Sequence, residues 1–446
     1  MDTKQSRPIR VLIIPWLAHG HISPFLELAK KLTERNFHIY LCSTPINLNP
    51  IKKRLAEKYS HLIHLIELHL PSLPELPPHY HTTNGLPTHL MPALKDAFEM
   101  ASPTFSNIIH TLNPDLVIYD YNQPWAAAIA ASLNVPAVQF LTTAASMVSF
   151  ALHMFKNPGK EFPFPAIYLR EFERLGSSES SLERNKDKDR FLGAFKQSCN
   201  IILIKTFREI EGKYIEYLSN LTEKRIVPVG TLVQDTVTED EHTEITQWLD
   251  KKDETSTVFV SFGSECFLTK EEMEEVAHGL ELSKVNFIWV VRFPVGEKIR
   301  VEEALPEGFL ERVGERGMAV EGWAPQLKIL GHTSTGGFVS HCGWGSIMES
   351  MKSGVPIIAM PMHLDQPLNA RLVVETGVGV EVMRDNNGRL KREAIAQAIR
   401  KVLMEENGKD ARIKAKELSE ILRIKGEEEI DRVEEELVQL CKERKR

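Results

Sequence analysis

The chain reads as an α/β protein built from two parallel-sheet domains, and three observations carry that expectation. Its 446 residues exceed the length at which one hydrophobic core stops growing. Short apolar runs alternate with helical patterns through the first half, as in βαβ units. The same alternation restarts after an acidic, Thr-rich stretch at 234–243. Hydrophobic residues make up 42% and charged residues 26% of the chain, with a net charge of −7. That balance is ordinary for a globular protein and gives no electrostatic reason to bind nucleic acid or an acidic membrane.

The elements follow in order. Residues 11–16 form an apolar run too short for a signal peptide and without a small-residue cleavage site, so 11–15 reads as a first buried strand. A helix is expected at 24–35 and a strand at 38–43, then a strand at 116–119, a helix at 125–133 and a strand at 137–141. The longest apolar candidate, 135–155, is interrupted by Gln139, Thr142, Thr143, Ser146 and Ser149; no run reaches the ~18 residues of a membrane span. The Ser-, Glu- and Lys-rich residues 176–190 read as an exposed loop. The first domain resumes at 201–205 and closes near Val233.

In the second half a strand is expected at 258–262, a helix at 270–282 with a capping box from Thr269 and Glu272, and a strand at 287–291. The tail reads as a helix from Glu427, with Ile430, Val433, Leu437 and Leu440 on one stripe. The expected division is therefore 1–233, a linker at 234–243, 244–426, and a final helix at 427–446. Cys42, Cys199, Cys266, Cys342 and Cys441 are odd in number, widely spaced and without a C-x-x-C pair. Reduced thiols in the cytosol fit that pattern better than zinc.

The run WAPQLKILGHTSTGGFVSHCGWGSIMESMKSGVPIIAMPMHLDQ, from Trp323 to Gln366, carries most of the chemistry. Residues 337–340 read as a buried strand, 341–345 as a tight glycine turn and Ser346 onward as a helix. Such a turn lets the backbone approach an anion and aims the helix's free N–H groups and positive dipole end at it. Gly343 and Gly345 alone also suit a packing turn, since Met348 stands where a dinucleotide fingerprint has its third glycine. Around them Trp323 offers a platform for a base, and Gln326 and Glu349 offer partners for ribose hydroxyls. His341 and Ser346 suit phosphate, and Asp365 with Gln366 suit sugar hydroxyls. Glu349 fits equally a capping box begun by Ser346.

Trp-Ala-Pro-Gln at 323–326, His-Cys-Gly-Trp at 341–344, Glu349, Gly-Val-Pro at 354–356 and the closing Asp365-Gln366 resemble the signature box of plant family 1 UDP-glycosyltransferases. These are inverting enzymes of the GT-B fold. The resemblance covers essentially the whole chain. It implies two facing Rossmann-like domains, with acceptor mostly on the first and donor mostly on the second, and a final helix that crosses back to pack on the first. Gln366 at the end of the box implies UDP-glucose, and Thr142 matches the residue that contacts the sugar's 6-hydroxyl. The turn Phe262-Gly263-Ser264, His341 and the helix start at Ser346 would cradle the diphosphate, with Ala324, Trp344 and Gly345 completing the donor site. A glucuronate donor would want an arginine that residues 15–25 lack.

Deprotonating a hydroxyl during transfer needs a group that titrates near working pH, and imidazole is the usual choice. His19 and His21 both follow the first strand and read, by residue type alone, as loop histidines or a metal pair; the resemblance selects His21 as base. Asp120, directly after strand 116–119, fits either a cap on the next helix or the acid that orients the imidazole. Together they imply a single displacement with inversion, UDP leaving from the opposite face. Tyr121, Asn122 and Gln123 would line the acceptor pocket, though a polar solvent-facing loop has the same composition. Asp187-Lys188-Asp189 lies in the charged stretch with no strand before it and reads as solvated charge, so no metal is expected. A cytoplasmic monomer acting on a small molecule is the resulting picture.

The resemblance departs at Gly345, where most members carry Asn, which removes a side-chain donor near the phosphate and sugar. That departure, with Ser264-Glu265 and residues 268–272, resembles the branch-forming members that glycosylate a sugar already on an acceptor. The group acting on triterpenoid glycosides such as mogrosides is the most similar. Three alternatives remain: glucosylation of a bare aglycone such as a flavonoid, a nucleotide-sugar binding protein without turnover, and a nicotinamide oxidoreductase, for which the full glycine fingerprint is missing.

Overall fold

A computed structural model describes residues 7–174, 181–234, 243–294 and 299–443. The chain divides into two units, one spanning 1–160, 179–234 and 425–446, the other 161–178 and 235–424.

Seven parallel strands form the sheet of the first unit: β1 (Ile9–Ile14), β2 (Phe37–Ser43), β3 (Ile63–Glu67), β4 (Leu116–Tyr119), β5 (Ala137–Leu141), β6 (Ile201–Ile204) and β7 (Arg225–Pro228), in the order β3-β2-β1-β4-β5-β6-β7. Six parallel strands form that of the second: β8 (Thr257–Ser261), β9 (Asn286–Val291), β10 (Gly317–Glu321), β11 (Thr335–Ser340), β12 (Ile357–Ala359) and β13 (Gly379–Glu381), in the order β10-β9-β8-β11-β12-β13. Helices cover both faces, so the central strands are apolar throughout, as in Leu116–Tyr119. In each sheet the order reverses once, at β1/β4 and at β8/β11. Loops diverge there, beyond the strands' carboxyl ends, and leave the crevice in which open α/β sheets bind ligands.

The final helix, Lys409–Glu443, begins well before Glu427. Ile430, Val433, Leu437 and Cys441 join Val11, Ile13, Phe25 and Leu28 in the core of the first unit, while Leu440 packs at its margin. Burying such a stripe is worth roughly 1.5–3 kcal/mol per large side chain. The capping box of Thr269 and Glu272 is present at the start of helix Lys270–Ser283.

Three further expectations change. The first helix starts at His19 rather than Pro24; Pro24 lacks only one N–H and sits early enough to interrupt a single intrahelical bond. The charged stretch is helix from Ser181 to Gln197. Its charges are paired, with Arg190 on Asp96 and Glu99, and Asp187 between Lys95 and Arg190. Residues 175–180 and most of the acidic linker, 235–242, lie outside the described residues.

The third change concerns residues 161–174, which join the second unit. Arg170 Nη1 donates to Glu381 at 2.6 Å, and Arg371 bridges Glu173 and Glu381 at 2.7 Å each. Arg371 and both carboxylates are nearly out of water, at 3% and 6% side-chain exposure. Phe172 lies over Gly388, where φ is +77° and a Cβ would stand 2.8 Å from the ring. The five cysteines are free. Among the described residues no helix is long and apolar enough to cross a membrane.

Removing one partner of a buried ion cluster leaves charge stranded, whereas an exposed pair contributes little. Arg371→Ala should therefore lower stability by about 3–5 kcal/mol, and Glu427→Ala, which breaks exposed pairs to Lys31 and Arg35, by under about 1 kcal/mol. Equal shifts in the urea midpoints of the two variants would contradict the clasp.

Candidate active site

In the first unit, His21 occupies the first turn of helix His19–Thr33, which begins at the carboxyl end of β1. Asp120 follows β4, the strand paired with β1 across the switch point. The two meet: His21 Nδ1 lies 2.7 Å from Asp120 Oδ2. The same oxygen accepts the Trp16 N–H at 3.1 Å, and Oδ1 accepts the Tyr121 N–H at 2.7 Å. Asp120 is 0% exposed, so these donors replace the water a carboxylate needs. They also rule out the helix-cap reading, because Asp120 precedes helix Pro124–Ser132 by too far to be its cap, which is Gln123. A carboxylate at Nδ1 holds the proton there and leaves the Nε2 lone pair as the basic site. Thr142 Oγ1 stands 3.0 Å from Nδ1.

The acceptor trio divides. Tyr121 is half-buried, its ring 5.6 Å from the imidazole. Gln123 is 0% exposed and donates to the Ile14 carbonyl at 2.6 Å. It ties the β4 loop to β1. Asn122 is also buried, its Nδ2 without a partner.

In the second unit, His341, Cys342 and Gly343 turn from β11 into helix Trp344–Ser353. The helix starts two residues earlier than expected, with Gly343 as its cap, so Glu349 is not in a capping box. The first intrahelical bond runs from the Ile347 N–H to the Gly343 carbonyl. The N–H groups of Gly345 and Ser346 are thus unused by the helix and available to an anion. The His341 ring fills the space between two glycines: a Cβ on Gly263 or Gly343 would come within 2.6 or 2.5 Å of Nε2. Gly263 also has φ +77°. Burial, aided by His363 and Arg292, pushes the His341 pKa down to about 4.

Gln326 Nε2 donates to Ser346 Oγ at 3.1 Å and Glu349 Oε2 at 2.6 Å, bringing the three expected side chains together. Trp323 is 48% exposed and presents a flat face. Trp344 and Ala324 are buried, at 4% and 6% exposure. Ser264 and Glu265 are exposed on the loop after β8. Gln366 turns inward: its Oε1 accepts the N–H groups of Met362 and His363, each at 3.0 Å. Its amide nitrogen lies 3.3 Å from His363 Nδ1, which leaves one N–H for a ligand.

Three residues escaped the sequence reading. Asn369 Nδ2 donates to both the Cys342 carbonyl (3.0 Å) and Asp365 Oδ2 (2.9 Å), tying the glycine turn to Asp365. Its position four residues after Asp365 on one helix is the signal that was there to find. Glu211 accepts the N–H groups of Ala145 and Ser146 at 2.8 and 2.7 Å and closes the start of helix Ala145–Lys156, just beyond Thr142; burial raises its pKa. Arg292, after β9, lines a small cavity with Phe262 and Gly263. Among the described residues no group of three His, Cys, Asp or Glu could hold a metal ion.

Two family models match: "Glycosyltransferase, N-terminal domain" over residues 7–234 and "UDP-glucoronosyl and UDP-glucosyl transferase" over residues 224–433. The chain is 57% identical to a beta-D-glucosyl crocetin beta-1,6-glucosyltransferase of Gardenia jasminoides, covering 97% of this chain and 99% of that one. It is 55% identical to a mogroside IIIx synthase of Siraitia grosvenorii over 98% and 94% of the two chains. A crystal structure of a UGT transferase from Siraitia grosvenorii in complex with UDP superposes with a TM-score of 0.80 at 27% identity, over 96% of this chain and 100% of that one.

The depressed pKa of His341 has a measurable consequence. The unfolded chain takes up a proton near the ordinary value of 6.5, which the folded chain refuses until about pH 4. This contribution to stability is full above that window and declines as pH falls through it. His341→Gln should fall less in denaturant midpoint than wild type between pH 7 and pH 4.5; identical declines would contradict the buried neutral ring.

Proposed function

Because the chain belongs to the UDP-glucuronosyl and UDP-glucosyl transferase family, with its GT-B fold of two Rossmann-like domains, we propose that it transfers β-glucose from UDP-glucose to a sugar hydroxyl of a plant triterpenoid glycoside. The His21–Asp120 pair carries this reading. His21 Nε2 takes the proton of the acceptor hydroxyl as that oxygen attacks the anomeric carbon. Asp120 holds the tautomer and stabilises the imidazolium that forms. The glucose–phosphate bond breaks on the opposite face, so the α-linked donor gives a β-linked product without a covalent intermediate.

On the donor side, Trp323 stacks on uracil, and Gln326 and Glu349, already bonded to each other, hold the ribose. The diphosphate meets the N–H groups of Gly345 and Ser346 and the neutral His341, with Ser264 beside them. No metal is required in this scheme. Asp365 and the Gln366 amide take glucose hydroxyls, and Thr142, with Nδ1–H turned to Asp120, has its own hydroxyl hydrogen for the sugar. Tyr121 walls the acceptor. A sugar as acceptor is supported by the crocetin relative, whose name specifies a glucosyl acceptor and a 1,6 bond, and by the mogroside relative. Free cysteines suit a reducing cytoplasm.

The test is turnover with UDP-glucose and no added metal, comparing a triterpenoid monoglucoside with its aglycone by mass spectrometry. The glucoside should gain a hexose and the aglycone should not. Preference for the aglycone would overturn the branching reading and leave the direct-glucosylation alternative. His21→Ala should cost at least about a hundredfold in kcat, and Asp120→Asn, which can present the wrong partner to Nδ1, about 10³–10⁴-fold, both with UDP affinity unchanged. Turnover within a few-fold of wild type in either variant would remove the assigned roles.

A further inference from the structure

One cation beside the glycine turn has no role in the scheme so far. Arg292 directly follows β9, which neighbours β8 in the sheet, so it stands at the same carboxyl end as Gly263 after β8 and His341 after β11. It lines a small cavity with Phe262, Gly263 and Cys266. Its Nε is out of water with no hydrogen-bond partner. Among the described residues no carboxylate pairs with the guanidinium, and burial alone lowers its pKa.

Arg316 also has a buried nitrogen without a partner, but most half-buried arginines differ. Arg35, Arg170, Arg190 and Arg371 each lie within 2.7 Å of an acid, and Arg384 stands 3.9 Å from Glu272. A half-buried guanidinium without a counter-ion destabilises a fold. The exception at Arg292 is explained if the counter-ion arrives with a ligand.

The chemistry of the neighbours says which ligand. His341 is neutral near pH 7, and the helix start offers only N–H donors and a partial charge. Gly345 adds no side chain. A diphosphate that gains negative charge as the anomeric bond breaks therefore finds hydrogen bonds here but no full positive charge, unless Arg292 supplies it. We propose that Arg292 is a donor-binding residue, pairing its guanidinium with the diphosphate of UDP-glucose and stabilising UDP as it leaves. This rests on the UDP-glucose reading above.

The experiment compares UDP, UMP and uridine binding, by calorimetry and competition, for the wild-type protein, Arg292→Met and Arg292→Lys, with the melting temperature of each in the absence of ligand. The Met variant should bind UDP at least about tenfold more weakly, with the deficit shrinking at high salt and partly restored by Lys. Uridine binding should be unchanged. Melting without ligand should stay level or rise, because an uncompensated charge has been removed. Unchanged UDP affinity, an equal loss for uridine, or a lower melting temperature with equal losses for all three ligands would overturn the proposal. If wild type binds no UDP, the donor reading itself fails, an outcome separate from any effect of Arg292.

Discussion

The hydrogen bond between His21 and Asp120, 2.7 Å long with the carboxylate 1% and the imidazole 23% exposed, is the constraint around which the loops of the first unit are built. A buried carboxylate must be surrounded by donors, and here both backbone donors come from loops that exist because β1 and β4 are neighbours while their chains run on in opposite directions across the sheet. Trp16 comes from β1's end, Tyr121 from β4's end, and the Gln123–Ile14 bond locks the two ends together. The imidazole is held in one tautomer before any substrate binds. In the proposed reaction, preorganisation of that kind would lower the barrier without reorganisation at the moment of transfer.

The second unit applies the same topology to a different task. Its switch point, β8/β11, carries backbone rather than side-chain chemistry. Two glycines leave a slot filled by one imidazole, and the helix behind it begins with N–H groups its own backbone does not use. Asn369 then couples this turn to Asp365. In the proposed donor scheme, one small network would therefore set both the diphosphate and the sugar contacts. A cradle of neutral donors supplies no full charge, which is the contribution proposed for Arg292.

Strands buried on both faces were legible as unbroken apolar runs, as at 116–119 and 137–141, and so were both switch-point loops, because chemistry and turn residues stand together there in sequence. Short strands such as Ile357–Ala359 and Gly379–Glu381 carry too few residues for a period to show. The charged helix Ser181–Gln197 was hidden because its stability comes from ion pairs to a distant segment rather than from an apolar stripe. For the same reason nothing local marks 161–174 as part of the second unit: its partners, Arg371 and Glu381, lie some two hundred residues away. Residue type named Gln123, Trp344 and Ala324 as contacts; their burial, at 0%, 4% and 6% exposure, is something type does not reveal. Asn369 and Glu211 act through other groups, and such positioning residues have no signature of their own.

The most direct test of the account is nitrogen-15 NMR of the imidazole of His21, assigned by comparison with His21→Gln, at neutral pH without ligands. The account requires a single tautomer, with the proton on Nδ1, shifted downfield by the Asp120 carboxylate, and a bare Nε2. A ring protonated on Nε2, or an even exchange between the two tautomers, would contradict it, since the lone pair would then face the carboxylate and the acceptor hydroxyl would have no base.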